Sequence, residues 1–359
     1  MKYPIGIQDF EKLRTNEYSY VDKSRFVYKL ATEGEYYFLS RPRRFGKSLF
    51  LSTLEAYFQG KKELFEGLAI YDLETEWKKY PIFHIDLNTA NFREKDSLYN
   101  VLNDYLTGWE DKYGTRDSEV TLPLRFKGVI ARAAEKEGCG VVILIDEYDK
   151  PILQTLRDPE LQAEHRAQLK AFYSVLKTQD RYIKFAFLTG VTKFGKVSVF
   201  SDLNNLTDIS MDHRYISICG MTEKELLTNF KEGISELAEA NGDTEEATIA
   251  KLKARYDSYQ VAGEAELYFQ NALYLIFKIM GFRTQVEIPT SDGRMDVLIQ
   301  TSDYIYIIEC KLDGSAEEAL QQLESKNYAA PFAMDKRTII KLGINFSSKT
   351  RGVESWKVG

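Results

Sequence analysis

Three short stretches carry residues whose types and spacing can do chemistry. The first, RPRRFGKS (residues 41–48), ends in Gly46, Lys47 and Ser48, the tail of the pattern G-x-x-x-x-G-K-[ST]. Main-chain N–H groups at a helix start, backed by the helix dipole, hold phosphate oxygens. Lys47 is expected to bridge the terminal phosphates and Ser48 to turn its hydroxyl to magnesium. The run Arg43, Arg44, Phe45, Gly46, Lys47, Ser48, Leu49 is the expected nucleotide cradle, with the two arginines adding positive charge at its mouth. Arg41 stands where the pattern has its first glycine. Neither Arg41 nor Pro42 takes the positive φ that glycine permits, so the first half of the loop is expected to differ in shape.

The second stretch is VVILIDEYD, residues 141–149, an apolar run closed by Asp146 and Glu147. A magnesium-nucleotide site needs a carboxylate at the end of a neighbouring strand, and hydrolysis needs a second group to orient water. Asp146 is assigned to magnesium and Glu147 to the water. GKS alone also fits a basic surface loop, and two acids after an apolar run also fit a helix cap. The two elements together, in this order and about a hundred residues apart, favour ATP and Mg2+ as cofactors. Thr189, at the end of IKFAFLTG with Thr192 and Lys193 after it, either senses the gamma-phosphate or caps its strand. Both readings stay open.

The third stretch is GRMDVLIQTSDYIYIIECKLDG, residues 293–314, which suggests a hairpin. With Ser302 and Asp303 as a two-residue turn, residues whose numbers sum to 605 face each other, so Asp296 lies opposite Glu309. Such partners are roughly 5 Å apart at Cβ, close enough to share one divalent cation. Lys311, two residues on from Glu309, emerges on the same face. Two acids and a lysine among Leu298, Ile305 and Ile307 cost stability unless they are paired or bind metal. A metal held there can activate water and polarise a phosphodiester, while Lys311 positions the nucleophile or offsets developing charge. Glu266, on the preceding helix, is a candidate further ligand, and Gln322, on the following one, a candidate support. The competing interpretation is an edge hairpin with solvated charges, against which the apolar flanks argue.

Helices and strands must hold these residues in place. From about residue 35 to 220, the apolar runs 36–40, 82–87, 141–146 and 183–190 alternate with helical patterns, as in a parallel sheet with crossover helices. Phe50, Leu51, Leu54, Tyr57 and Phe58 place one apolar stripe on a helix starting near Ser48. Residues 221–256 are charged and helical in pattern. GEAELYFQNALYLIFKIMGF reads as a helix ending at Gly281, followed by strands RMDVLIQ and YIYIIECK, helix SAEEALQQLESKNYA and a last strand RTIIKLGINF. The expected fold class is α/β: a phosphate-loop parallel sheet with flanking helices (1–220), a short helical lid or linker (221–260) and a small C-terminal α/β domain (261–359).

The 359 residues suffice for two cores, and 44% apolar residues are normal for a globular protein and argue against a disordered chain. A net charge of -6 gives no overall attraction to nucleic acid. Three scattered cysteines, Cys139, Cys219 and Cys310, argue against a disulfide framework and fit a reducing cytosol. The opening MKYPIGIQDF has no apolar signal stretch, and NALYLIF is too short to span a bilayer. A cytoplasmic protein with no membrane partner is expected.

Together GIQDFEKLR, YSYVDKSRF, RPRRFGKSLFLSTL, ILIDEYDKPI, LTGVTKFGKVSVFSDLNNLTDIS, GRMDVLIQTSDYIYIIECKLDGSAEEALQQL and KLGINFS resemble a bacterial family that joins an AAA-ATPase-like domain to a PD-(D/E)xK nuclease-like domain. RPRRFGKS, with arginine for the first glycine, is itself typical of that family. The resemblance implies Walker A roles for Gly46, Lys47 and Ser48, Walker B roles for Asp146 and Glu147, and nuclease roles for Glu266, Asp296, Glu309 and Lys311. It implies a restriction-endonuclease-like C-terminal fold. Where family members carry a longer helical region before the nuclease helix, RYDSYQ here runs almost directly into GEAELYFQ. The expected activity is an ATPase joined to a magnesium-dependent nuclease, with nucleic acid as partner, DNA ahead of RNA, and room for homo-oligomerisation. Residues 262–359 hold 11 Lys and Arg against 13 Asp and Glu, so duplex affinity from that part alone is not expected. Arg43, Arg44, Lys193 and Lys196 are the candidate helpers.

Overall fold

The structure, a computed structural model, describes residues 2–191, 205–210, 212–256, 283–290, 293–332, 335–347 and 352–359, without the side chains of 253–256, 283–290, 293–294 and 352. Glu266, Thr192, Lys193, Lys196 and the helix read over GEAELYFQNALYLIFKIMGF lie outside the described residues. The chain divides into two compact units, Met1–Ala254 and Arg255–Gly359.

The first unit runs α1 (Phe10–Thr15), α2 (Ser24–Glu33), β1 (Tyr36–Ser40), α3 (Lys47–Phe58), α4 (Ala69–Leu73), β2 (Ile82–Asp86), α5 (Ser97–Tyr113), α6 (Leu122–Glu137) and β3 (Val141–Asp146). It continues through α7 (Lys150–Gln154), α8 (Pro159–Thr178), β4 (Ile183–Gly190), β5 (Thr207–Asp208), α9 (Glu223–Asn229), α10 (Lys231–Asn241) and α11 (Glu245–Tyr256), whose last two residues fall in the second unit. The strands form one parallel sheet in the order β2-β3-β4-β1-β5. Every residue of β1 and β3 is buried, as a strand covered on both faces requires, which is why these strands read as unbroken apolar runs. On one face Leu39, Leu144 and Phe187 meet Phe50, Leu51 and Leu54 of α3. On the other, Phe38, Ile143 and Ile145 share a cluster with Leu102 of α5, Phe126 of α6 and Phe172 of α8. Each such side chain contributes about 2 kcal/mol by leaving water.

One expectation needs correction. The acid-bearing strand β3 is not the neighbour of the loop-bearing strand β1, because β4 lies between them. Seven of the eight β4 positions are buried, so it is as fit for the sheet centre as β3. Its insertion places Thr189 between the loop and Asp146. After the sheet, α9 begins with Thr222 and Glu225 in a reciprocal capping box, which satisfies two first-turn donors. Glu225 also pairs with the buried Lys23 at 2.6 Å.

The second unit runs β6 (Arg283–Thr290), β7 (Gly293–Gln300), β8 (Tyr304–Leu312), α12 (Ala316–Ser325), β9 (Thr338–Ser347) and β10 (Gly352–Val358). The sheet order is β10-β9-β8-β7-β6, with β8 and β9 parallel and the other pairs antiparallel. Two strands exceed those read from the sequence: β6 precedes the hairpin, and β9 is not the last strand, since β10 follows. Both are edge strands. Pro289 in β6 and the charged, outward-facing composition of β10 weaken the alternation that marks a half-buried strand. The hairpin itself keeps the expected register, with Val297 against Ile308 and Gln300 against Ile305, so β7 and β8 lie inside the sheet.

Candidate functional site

The phosphate loop leaves β1 and enters α3 through Gly46, whose φ of 85° puts it in the left-handed region. The second left-handed residue is Arg44, with φ 69°. The turning is therefore done at positions 44 and 46, not at 41, and the loop differs from the glycine pattern in its first half, as expected from Arg41 and Pro42. Arg43 and Arg44 are exposed. Phe45 and Leu49 pack their side chains against the α3-side core, so what they offer a phosphate is main-chain N–H.

Lys47 is 4% exposed. Its ammonium sits 2.9 Å from Glu147 Oε1 and donates to the carbonyls of Arg41 and Pro42 at 3.1 and 3.3 Å. Ser48 Oγ donates to Asp146 Oδ2 at 2.5 Å, and Thr189 Oγ1 donates to the other oxygen of Asp146. The Glu147 N–H in turn points at Thr189 Oγ1, 3.4 Å away. Thr189 is wholly buried, and its hydroxyl orients the Asp146 carboxylate. Glu147 itself adopts φ 54°, a conformation that costs a non-glycine residue about 1 kcal/mol or more and persists only where the surroundings enforce it.

The fully buried Asp149, unassigned in the sequence reading, accepts the N–H of Val191 at 3.2 Å and so fixes the chain where it leaves β4. The third acid of DEYD was the signal for it. Cys219 lies within electrostatic reach of Arg41, Lys47, Lys23 and Asp146, but burial dominates and pushes its thiol up to about 11. It stays neutral beside the loop. Burial pulls the His84 imidazole down, and the hydrogen bond and charge of Glu55, 2.8 Å away on α3, reverse this and raise it.

In the second unit the hairpin register, continued one step past Val297 and Ile308, sets Asp296 opposite Glu309. The two are 8% and 2% exposed. Where the ladder ends, the N–H of Cys310 is met by Asp296 Oδ2 at 2.7 Å. Lys311 Nζ lies 3.7 Å from Glu309 Oε1. Gln322 of α12 joins them, accepting from Lys311 at 2.7 Å and donating through its amide nitrogen to Glu309. Below this polar patch Leu298, Ile305 and Ile307 pack on Leu323 and Tyr328. Asp296, Glu309, Lys311 and Gln322 are thus brought together. Among the described residues no group of three or more His, Cys, Asp or Glu is arranged to hold a metal. The donors offered are oxygens, Ser48 with Asp146 and Asp296 with Glu309, which fit a hard cation such as Mg2+.

Sequence reasoning passed over Gly343. It lies beside Glu309 in the β8–β9 register, and a Cβ there would run into the Ala316 carbonyl and come within 3.0 Å of the Leu320 nitrogen. The bare backbone lets α12 settle on β9 and brings Gln322 within reach of Glu309. Gly343→Ala is expected to lift the helix, cost about 1–3 kcal/mol of stability and withdraw Gln322. A thermal melt at the wild-type Tm would contradict this.

A parallel sheet with a lysine-bearing loop at β1 and an acid pair at the end of β3 defines a phosphate-loop nucleotide-binding domain. The hairpin carrying Asp296, Glu309 and Lys311 defines a nuclease-like domain. The chain belongs to the family described as "Predicted AAA-ATPase", whose model matches residues 4–200, and residues 264–356 match the PD-(D/E)XK nuclease superfamily. It is also similar to an "Uncharacterized protein in vnfD 5'region" of Azotobacter chroococcum mcd 1, 42% identical over 283 residues, or 79% of this chain and 53% of the relative. The chain therefore spans about half the length of that curated relative. No solved structure matches it. Among the described residues no helix is long and apolar enough to cross a membrane.

Proposed function

We propose that this protein binds and hydrolyses ATP and cleaves nucleic-acid phosphodiesters, DNA ahead of RNA, at a metal-dependent site under nucleotide control, in the cytoplasm. The observation that carries the reading is that each unit pairs a lysine with one buried carboxylate and sets a second buried acid next to it: Lys47 pairs with Glu147, with Asp146 adjacent, and Lys311 pairs with Glu309, with Asp296 opposite.

In the first unit Ser48 and Asp146 would hold magnesium, with Thr189 keeping the carboxylate in place. Lys47 exchanges Glu147 for the beta- and gamma-phosphate oxygens, and this frees Glu147 to orient water and take its proton as the bond to the ADP oxygen breaks. In the second unit Asp296 and Glu309 would hold the cation, Lys311 faces the charge that develops on the phosphate, and Gln322 fixes both Glu309 and Lys311. The cation, when bound, lowers the pKa of water and polarises the phosphoryl oxygen. With a C-terminal part that is not basic, grip on nucleic acid falls to Arg43, Arg44 and self-association.

The test is a cleavage assay on single- and double-stranded DNA and RNA with magnesium or manganese, with and without ATP. Cleavage that changes with ATP is the expected result. Binding of nucleic acid with no cut under any condition would instead make the protein a nucleotide-switched binding module with an inactive nuclease fold.

A further inference from the structure

With the turn made at Arg44 and Gly46, the first half of the loop, which has no glycine at position 41, still needs contacts that hold its shape. Ser40, the last residue of β1, donates its N–H to the Ser210 hydroxyl oxygen at 2.8 Å. The Arg41 guanidinium then donates to the carbonyl of Ser210 at 2.7 Å and of Ser40 at 3.0 Å, and makes a long contact of 3.5 Å with the carbonyl of Tyr215. At the far end of the loop the carbonyl of Phe45 accepts the N–H of Gly220 at 2.8 Å. Gly220 has φ 77°, and any Cβ there would lie 3.6 Å from the Phe45 ring. The partner segment is well anchored: Ile209, Tyr215, Ile218 and Cys219 are buried, and Ile209 continues the β5 pairing by donating to Phe38. The Arg41 side chain is thus directed into main-chain carbonyls, while its own carbonyl faces the Lys47 ammonium.

We propose that Arg41 is the positioning residue of the nucleotide site: it ties the first half of the phosphate loop to the segment around Ser210, Tyr215 and Gly220, and so holds Lys47 and the Gly46–Ser48 N–H groups in phosphate-binding geometry. Arginine suits this task because its planar fork carries five donors in a fixed geometry, whereas an ammonium is a compact, strongly hydrated point charge. This rests on the nucleotide-site reading above and deepens it. A consequence runs against the motif: restoring the consensus glycine harms the site.

The experiment titrates the full chain with a fluorescent ATP analogue and magnesium, using wild type, Arg41→Gly, Arg41→Lys and Lys47→Ala. Arg41→Gly is expected to bind about tenfold or more weakly, the equivalent of at least one charge-assisted hydrogen bond, and Arg41→Lys to recover little of the loss. Added guanidinium ion is expected to restore binding to Arg41→Gly, which a general loss of folding would not allow. Amide exchange is expected to rise together in peptides covering 41–46 and 212–220. Binding by Arg41→Gly as tight as wild type overturns the proposal. Where the glycine variant fails to fold, wild-type affinity in a folded Arg41→Lys overturns it equally. Wild type that binds no nucleotide defeats the nucleotide-site reading itself, a different result from either.

Discussion

Lys47→Ala is expected to weaken magnesium-ATP binding by about 100-fold or more and to abolish hydrolysis. Hydrogen bonds to charged groups contribute about 1.5–3 kcal/mol each, and two such contacts to the terminal phosphates amount to at least 3 kcal/mol, or about two powers of ten in Kd. The same substitution has a second effect that must be separated. Lys47 is buried against Glu147 at 2.9 Å, and deleting one partner of a buried pair leaves the other charge uncompensated, at a cost of about 3–5 kcal/mol in deep interiors. Glu147 keeps 11% side-chain exposure, so its penalty lies at or below the low end of that range. Combining Lys47→Ala with Glu147→Gln removes the orphan charge, so stability is expected to return while binding does not. Calorimetric titration beside a thermal melt reads both. A Kd unchanged from wild type would remove Lys47 from the nucleotide site.

What could be read in advance follows from where burial is complete. VVILID and the apolar stretch of IKFAFLTG announce themselves because both faces of their strands are covered, and the hairpin register followed from one assumption about Ser302 and Asp303. Strand order left no such mark. Nothing in either run says that β4 comes between β1 and β3, so the hydrogen bond from Thr189 to Asp146 emerges only from topology, and it favours an orienting role over a gamma-phosphate sensor. Gly343 and Arg41 were opaque for another reason: one acts by lacking a side chain where a helix approaches, the other by hydrogen-bonding main chain some 170 residues away. Composition and periodicity do not register such contacts. Edge strands such as β10 are hard to see because Trp356 and Val358 remain exposed, which removes the alternation a strand assignment needs.

Asp296→Asn is expected to slow nucleic-acid cleavage about 100-fold while leaving ATP hydrolysis intact. Asparagine is the informative replacement because Asp296 does two things. Its Oδ2 accepts the Cys310 N–H at the end of the β7–β8 ladder, and its charge, opposite Glu309, makes the pair a cation site. Alanine removes both and leaves a buried N–H unsatisfied, a cost of about 1–3 kcal/mol that would confuse lost chemistry with lost folding. Asparagine keeps the carbonyl oxygen for Cys310 and discards only the charge. Loss of about 3 kcal/mol of metal-borne transition-state stabilisation corresponds to about a 100-fold slower cut. Cleavage is measured with magnesium at saturating ATP, phosphate release in the same samples, and Tm by thermal melt. With Tm held, slow cleavage and normal phosphate release locate the chemistry at the hairpin. Cleavage at the wild-type rate would mean that Asp296 serves only to close the ladder and that the cut, if it belongs to this chain, is made elsewhere.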